Sequence, residues 1–437
     1  MDQQTKGEQE RFKLRPQITC PHCWTLFPVE DVLWISEAPD LMGDSRLGES
    51  EKQRFLPIQF DVRGNAIDLK GFPCEKLACP NCHLYLPRPL LEMPPYFTSI
   101  VGAPASGKSY FLTSMIWTLR KVLPNKFMIN FTDSDPGMNG RLHQYEALHF
   151  MNDNAEETAM IEKTQEHGEL YNNVLINNQH ITFLQPFLFS LNKTEETPQE
   201  ASSVSHSMTL VVYDNAGESY MPVQGRDNAA LPVTRHLAKT NCIFFTFDPI
   251  QDNRFRAVCT NPSGDPQLKK ETADSFKKSP LRQEMILSEM IKRTRTYTGL
   301  RFDEKFARPI IVVVTKYDAW QELLPNVPLT PPWTQKNEFT PAVFDTQKVR
   351  DVSNALRKLL KQYIPEMVST IEQFASDVTY IPVSATGTPP RKDEETGQWG
   401  FRMKDLKPIW IEVPILYALS KSASCMIASR QAAARKT

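Results

Sequence analysis

Four stretches of this chain hold residue types at spacings that chemistry requires. The first is Gly102-Ala103-Pro104-Ala105-Ser106-Gly107-Lys108-Ser109, a GxxxxGKS pattern between the apolar run "TSIVG" and a helical pattern. In that setting the glycines let backbone wrap phosphates, and the helix N-terminus adds N–H donors and a favourable dipole. Lys108 would reach the β- and γ-phosphates, Ser109 would hold Mg²⁺, and Tyr110 follows at the same site. Pro104 removes one backbone donor, so the wrap should differ from a glycine-rich loop.

The second stretch is "TLVVYDNAGES", where an apolar strand ends in Asp214 and Gly217 follows three residues later. An Asp at a strand end beside a phosphate loop binds Mg²⁺, usually through water, and a Gly in fourth place lets a backbone N–H approach a γ-phosphate. The third is "VVVTKYDAW", with Thr315, Lys316 and Asp318. A carboxylate at Asp318 can accept hydrogen bonds from both N1–H and the 2-amino group of guanine, a donor pair that adenine lacks. Lys316 would lay its aliphatic stem along the base. The fourth is Ser384-Ala385 in "VTYIPVSATG", a small-residue turn that can bring a backbone N–H to guanine O6.

A separate constellation serves metal. "ITCPHCWTLFP" and "LACPNCHLYLP" share Cys-Pro-x-Cys, four residues and Pro, so Cys20, Cys23, Cys79 and Cys82 offer four thiolates to Zn²⁺. The pairing resembles a zinc ribbon, and in so small a module the metal should supply much of the folding free energy. Cys74, His22 and His83 lie beside the template and read as bystanders; Cys242 reads as a buried structural thiol. Ribbons bind protein or nucleic acid or brace a neighbour. Residues 18–93 are not conspicuously basic, which favours a protein partner over nucleic acid.

The elements that must carry these groups follow from hydrophobic patterning. Residues 1–18 read as a disordered, charged lead, and 19–93 as the cysteine module. A Pro-rich hinge spans 86–97, and a larger domain runs from 96 to 437. Helical spacing puts Phe111, Met115, Leu119 and Val122 on one face of 107–123. Strands are expected at 96–102, 126–131, 180–191, 207–214, 241–248, 308–318 and 376–385. Helices are expected near 281–298, 346–374 and 414–426, and insertions near 132–178, 249–280 and 324–345. Uninterrupted apolar strands alternating with helices specify an α/β, doubly wound, largely parallel sheet. Its ligands would bind at the C-terminal strand edge, where all four stretches fall.

The bulk numbers agree with a globular protein of two or three domains: 437 residues, 41% apolar, 23% charged, net charge −1. That charge gives no global reason to expect a nucleic-acid or membrane surface as partner. No 18-residue apolar run is present, and the N-terminus has no secretory apolar core, so no membrane span and a cytoplasmic location are expected.

Taken in order, GxxxxGKS, DxxG, TKxD and SA resemble the TRAFAC-type P-loop GTPases, the class of Ras-like and translation-factor GTPases, over residues 96 to about 421. The insertions and fused cysteine module resemble the bacterial double-GTPase families of conflict and defence gene clusters. The resemblance implies a P-loop NTPase sheet, GTP and Mg²⁺ as ligands, hydrolysis of GTP to GDP, and an effector or activating protein that reads the switch. It assigns Lys108, Gly217 and Glu218 to the reacting end. The family carries Gln where this chain has Glu218. A carboxylate near the γ-phosphate is electrostatically awkward, so unaided hydrolysis should be slow. The switch threonine is Thr158 or Thr164. Two other readings stay open: a non-hydrolysing nucleotide-binding adaptor, and an ATPase in which TKYD is coincidental.

Overall fold

A computed structural model describes residues 14–161, 168, 170–194, 207–220, 232–260, 264–268, 281–393, 397 and 399–430, with the side chains of Glu218, Gln267, Leu281 and Arg282 outside that set. Its principal elements are β1 (Pro95–Gly102), α1 (Lys108–Val122), β2 (Ile129–Asp133), α2 (Gly140–Phe150), β3 (Phe187–Lys193) and β4 (Ser207–Asp214). They continue with β5 (Cys242–Phe247), α3 (Leu281–Thr298), β6 (Ile310–Val314), α4 (Thr346–Tyr363), α5 (Pro365–Phe374), β7 (Val378–Pro382) and α6 (Val413–Ser422).

The strands form one seven-stranded sheet in the order β2-β3-β4-β1-β5-β6-β7. Pairing is parallel from β4 through β7, while β3 runs against both of its neighbours. β6 is Ile-Ile-Val-Val-Val and is buried at every residue, as expected for a strand covered on both faces. Alternate residues feed two apolar layers: Ile100, Phe244, Ile311 and Val313 point to one, and Val101, Phe245, Val312 and Val314 to the other. On the first face, α1 buries Phe111, Met115 and Leu119, and α6 lies beside it. On the second, α3, α4 and α5 close the layer through Met290, Leu360 and Ile371.

Three expectations need adjusting. The run 180–191 is two strands, because Pro186 interrupts it; Gln179–Leu184 turns away to pair with Tyr171–Ile176. The run 346–374 is two helices, broken where Pro365 cannot donate to the preceding turn. Residues 123–127 form a π turn before β2, which therefore starts at Ile129 rather than 126.

The 1–18 lead also ends sooner than expected, since Gln17–Thr19 pairs with Leu26–Pro28. The Pro-rich stretch 86–97 is packed: it holds a short helix, Pro89–Glu92, with Leu90 and Leu91 buried. Between the two cysteine pairs run two- to five-residue strands rather than a long sheet. Trp24, Phe27 and Leu86 join the same apolar cluster as Ile100 and Phe111, so the cysteine module shares the core of the sheet.

Candidate functional site

The loop between β1 and α1 turns through two left-handed residues, Ala105 at φ 62° and Gly107 at φ 90°. Alternating handedness of this kind points successive N–H groups into one concavity, which suits an anion. Gly107 is the N-cap of α1, and no side chain caps that helix end. Lys108 is 7% exposed, and its Nζ donates to the carbonyls of Gly102 (2.9 Å) and Ala103 (3.0 Å). Ser106 is fully buried, and its Oγ pairs with Thr246 Oγ1 at 2.9 Å. Ser109 and Tyr110 are half-buried in the first turn. The Tyr110 hydroxyl accepts from the Ile161 N–H at 3.0 Å, and burial pushes its pKa up to about 12.

Asp214 closes β4 with 2% exposure and sits in register with Ile100 of β1. The turn after it packs onto the loop. A Cβ on Gly217 would lie 2.7 Å from both Cδ and N of Pro104 and 2.8 Å from the Gly102 carbonyl, so only glycine fits this approach. Asn215 fixes the turn from behind: its Nδ2 donates to the Val233 carbonyl at 3.1 Å, and its Oδ1 meets His236 Nε2 at 2.8 Å. His236 is buried against the sheet with Nδ1 on Ser99 Oγ at 2.7 Å, and desolvation lowers its pKa to about 3. A neutral ring must therefore use one nitrogen as donor and one as acceptor here. Arg293 of α3 grips the far end, donating from Nη1 to the Ser219 carbonyl at 2.6 Å and from Nε to Glu289 at 2.8 Å.

The third stretch reaches the same loop, and the fourth reaches the third and α1. Thr315 Oγ1 donates to the Ser106 carbonyl at 2.9 Å. Lys316 adopts φ 57° and pairs with Asp248 Oδ2 at 2.5 Å. Asp318 is 7% exposed; its Oδ1 accepts from Ser384 Oγ at 2.6 Å, and burial raises its pKa above the usual carboxylate value. Ser384 Oγ accepts in turn from the Gly387 N–H at 2.7 Å, and the Ala385 carbonyl accepts from Ser114 Oγ of α1 at 2.8 Å.

The structure therefore joins Gly102 to Ser109, Asp214 to Gly217, Thr315 to Asp318 and Ser384 to Ala385 in one contiguous edge. Thr158 lies on another small sheet, paired with Arg402, which the Tyr110–Ile161 bond ties back to α1. Thr164 and the side chain of Glu218 lie outside the described residues. Sequence reasoning does not reach Asn215, His236, Asp248 or Arg293. They act on backbone or on other side chains 18 to 74 positions away; Asn215 fills a variable place inside DxxG, and the local context of the other three carries no motif.

The four cysteines meet as the template requires. Their Sγ atoms all lie within 4.8 Å of one another, with Cys20–Cys82 and Cys23–Cys79 both at 3.7 Å. A tetrahedral ion with bonds of about 2.3 Å needs sulfurs about 3.8 Å apart, so the group could hold a metal ion such as zinc. The two knuckles have the same backbone turn: Trp24 N–H bonds the Cys20 carbonyl, His83 N–H bonds that of Cys79, and both residues are left-handed. Backbone N–H groups of His22 and Asn81 donate to Cys20 and Cys79 sulfur, each at 3.4 Å. Such second-layer donors steady thiolate charge. His22 turns its Nε2 to the Tyr85 carbonyl, His83 pairs with Asp44, and Cys74 lies by Asp68, so all three are bystanders. Cys242 is fully buried in β5, and burial pushes its thiol pKa up.

The first knuckle is seated on β4 one residue before Asp214. The Tyr213 hydroxyl donates to the Pro21 carbonyl at 2.5 Å and accepts from Trp24 Nε1 at 3.1 Å, while its ring stacks on His236 at 4.7 Å. Tyr213→Phe strands both partners in the core. It is expected to cost about 1–3 kcal/mol, read as a lower midpoint of thermal unfolding; an unchanged midpoint would mean that the hydroxyl does not hold the knuckle.

Among the described residues no helix is long and apolar enough to cross a membrane. A scan against protein-family models and a search of curated proteins found no match to this chain.

Proposed function

We propose that this protein is a guanine-nucleotide switch that hydrolyses GTP slowly and carries a structural zinc site. The observation that carries the reading is the packing of three distant segments onto one loop and the helix that follows it: Gly217 against Pro104 and Thr315 on the Ser106 carbonyl in the loop, and Ala385 on Ser114 of α1. In this reading the Ala103–Ser109 backbone cradles the phosphates, and Lys108 leaves its two loop carbonyls to take phosphate oxygens instead. Asp318, oriented by Ser384, selects guanine.

The nearly buried carboxylate of Asp214 at the end of β4 and the half-buried Ser109 hydroxyl in the first turn of α1 offer the two oxygen donors that Mg²⁺ would take. The ion would supply charge neutralisation on the phosphates. The Gly217 N–H would sense the γ-phosphate, and loss of that group would release the turn that Asn215, His236 and Arg293 hold from behind. The four thiolates, all sulfur and tetrahedrally spaced, suit zinc better than a hard cation. A partner protein would read the turn.

The residue after Gly217 is a carboxylic acid where water-positioning amides serve this chemistry, so turnover without a partner should be slow. The test is single-turnover hydrolysis by the isolated protein. Rates on the order of those of unassisted switch GTPases, well under about 1 per minute, are expected; tens per second would overturn the slow-switch reading.

A further inference from the structure

A cleft of about 480 Å³ opens where the first cysteine knuckle, the hairpin of Tyr171–Ile176 and Gln179–Leu184, the segment Pro232–Lys239 and the C-terminal end of α3 meet. It lies outside the nucleotide edge and has no part in the function proposed above. Its floor is apolar: Trp24 is 7% and Phe183 3% exposed, set edge to face with ring centres 6.0 Å apart. Ile181 and the ring of Tyr297, both half-buried, form the walls. Two cations line it, Arg235 and Lys239, and among the described residues no acidic one does. Both cations are exposed, and neither makes an ion pair among the described residues.

The combination is selective. Some cations elsewhere on the surface have carboxylate partners, as Arg254 has Asp252 and Glu366, and Arg402 has Glu156 and Asp405. Here two cations, neither ion-paired among the described residues, share a cleft with a nearly buried aromatic floor. The volume lies within the range of small-molecule sites, roughly 300–1,000 Å³. A charged head would find both cations, and a flat body would cover apolar wall that water now wets.

We propose that this cleft binds a small amphiphilic anion, with its carboxylate, sulfonate or phosphate group on Arg235 and Lys239 and its apolar body over Trp24 and Phe183. Binding itself is independent of the nucleotide reading. A consequence for the switch rests on that reading: Arg235 and Lys239 belong to the stretch whose Val233 and His236 hold Asn215, and Trp24 bonds Tyr213 next to Asp214. An occupant would press on the backing of the Asp214–Gly217 turn.

The probe is 8-anilinonaphthalene-1-sulfonate, titrated into the folded full-length chain and followed by energy transfer from tryptophan. One saturable site is expected. The double variant Arg235→Gln, Lys239→Gln, whose changes lie on the surface, should weaken it roughly tenfold or more. The uncharged analogue N-phenyl-1-naphthylamine should bind wild type and double variant alike, and Ile181→Trp, which fills the cleft, should abolish both signals. Unsaturable binding, equal sulfonate affinity in the double variant, or full binding to the Ile181→Trp protein would each overturn the proposal. GTP affinity measured on the same variants separates a failure here from a failure of the nucleotide assignment, since neither cation touches that edge.

Discussion

The Asp318→Asn variant is expected to bind GTP about a hundred- to ten-thousand-fold more weakly than wild type and to shift its preference toward xanthosine triphosphate. The carboxylate is 7% exposed, and its burial raises its pKa, so the charged form is costly until donors reach it. Ser384 supplies one donor at 2.6 Å. Guanine supplies two more, and hydrogen bonds to a charged group contribute about 1.5–3 kcal/mol each. In the variant, the amide oxygen can accept from only one of guanine's donors while its N–H₂ faces the other. Xanthine carries a carbonyl in place of the 2-amino group and would accept from that amide. Competition with labelled GTP, GDP and xanthosine triphosphate reads the change. GTP affinity within about threefold of wild type, under 1 kcal/mol, would remove Asp318 from the base site.

The second large effect concerns metal. The wild-type chain should carry one zinc ion, and Cys79→Ser should carry none and unfold far more readily. Structural zinc contributes about 10–16 kcal/mol of apparent binding free energy in small peptides at neutral pH. The loss should not stay local. Cys20, Cys23, Cys79 and Cys82 lie in one apolar cluster with Ile100, Phe111 and Tyr213, and the first knuckle hangs on the Tyr213 hydroxyl. Metal content by mass spectrometry, with thermal unfolding before and after a strong chelator, measures both parts. Retention of a full equivalent of zinc by Cys79→Ser, with an unchanged midpoint, would contradict the four-thiolate site.

Much of this is legible in the sequence because the signals are local. Short, β-branched apolar runs such as Ile310–Val314 suit covered strands, and CPxC repeats fix thiolates on tight turns whose backbone the two knuckles share. The Gly102–Ser109 loop declares itself by glycine, lysine and the strand–helix context. Two breaks are also written in the chain, although apolar periodicity runs straight through them: Pro186 and Pro365 each end an element that the pattern alone would continue.

What periodicity cannot carry is direction and distance. Nothing in Phe187–Lys193 distinguishes an antiparallel member of the sheet from a parallel one, since apolar burial is the same either way. The support of the Asp214–Gly217 turn by His236 and Arg293 joins residues 21 and 74 positions from their partners. The Trp24–Tyr213 contact spans 189 positions and turns two modules expected to be separate into one packed body. Such contacts are chosen by tertiary geometry, and a single sequence holds no trace of them.

The central claim is that Gly102–Ser109, Asp214–Gly217, Thr315–Asp318 and Ser384–Ala385 form one guanine-nucleotide site. Isothermal titration of the full-length, zinc-loaded chain with GTP and with ATP, each with Mg²⁺, tests it most directly. The account predicts one GTP site per chain and ATP affinity weaker by about a hundredfold or more, since adenine lacks the donor pair that Asp318 accepts. Equal affinity for ATP and GTP, or no heat of binding with either, would contradict it.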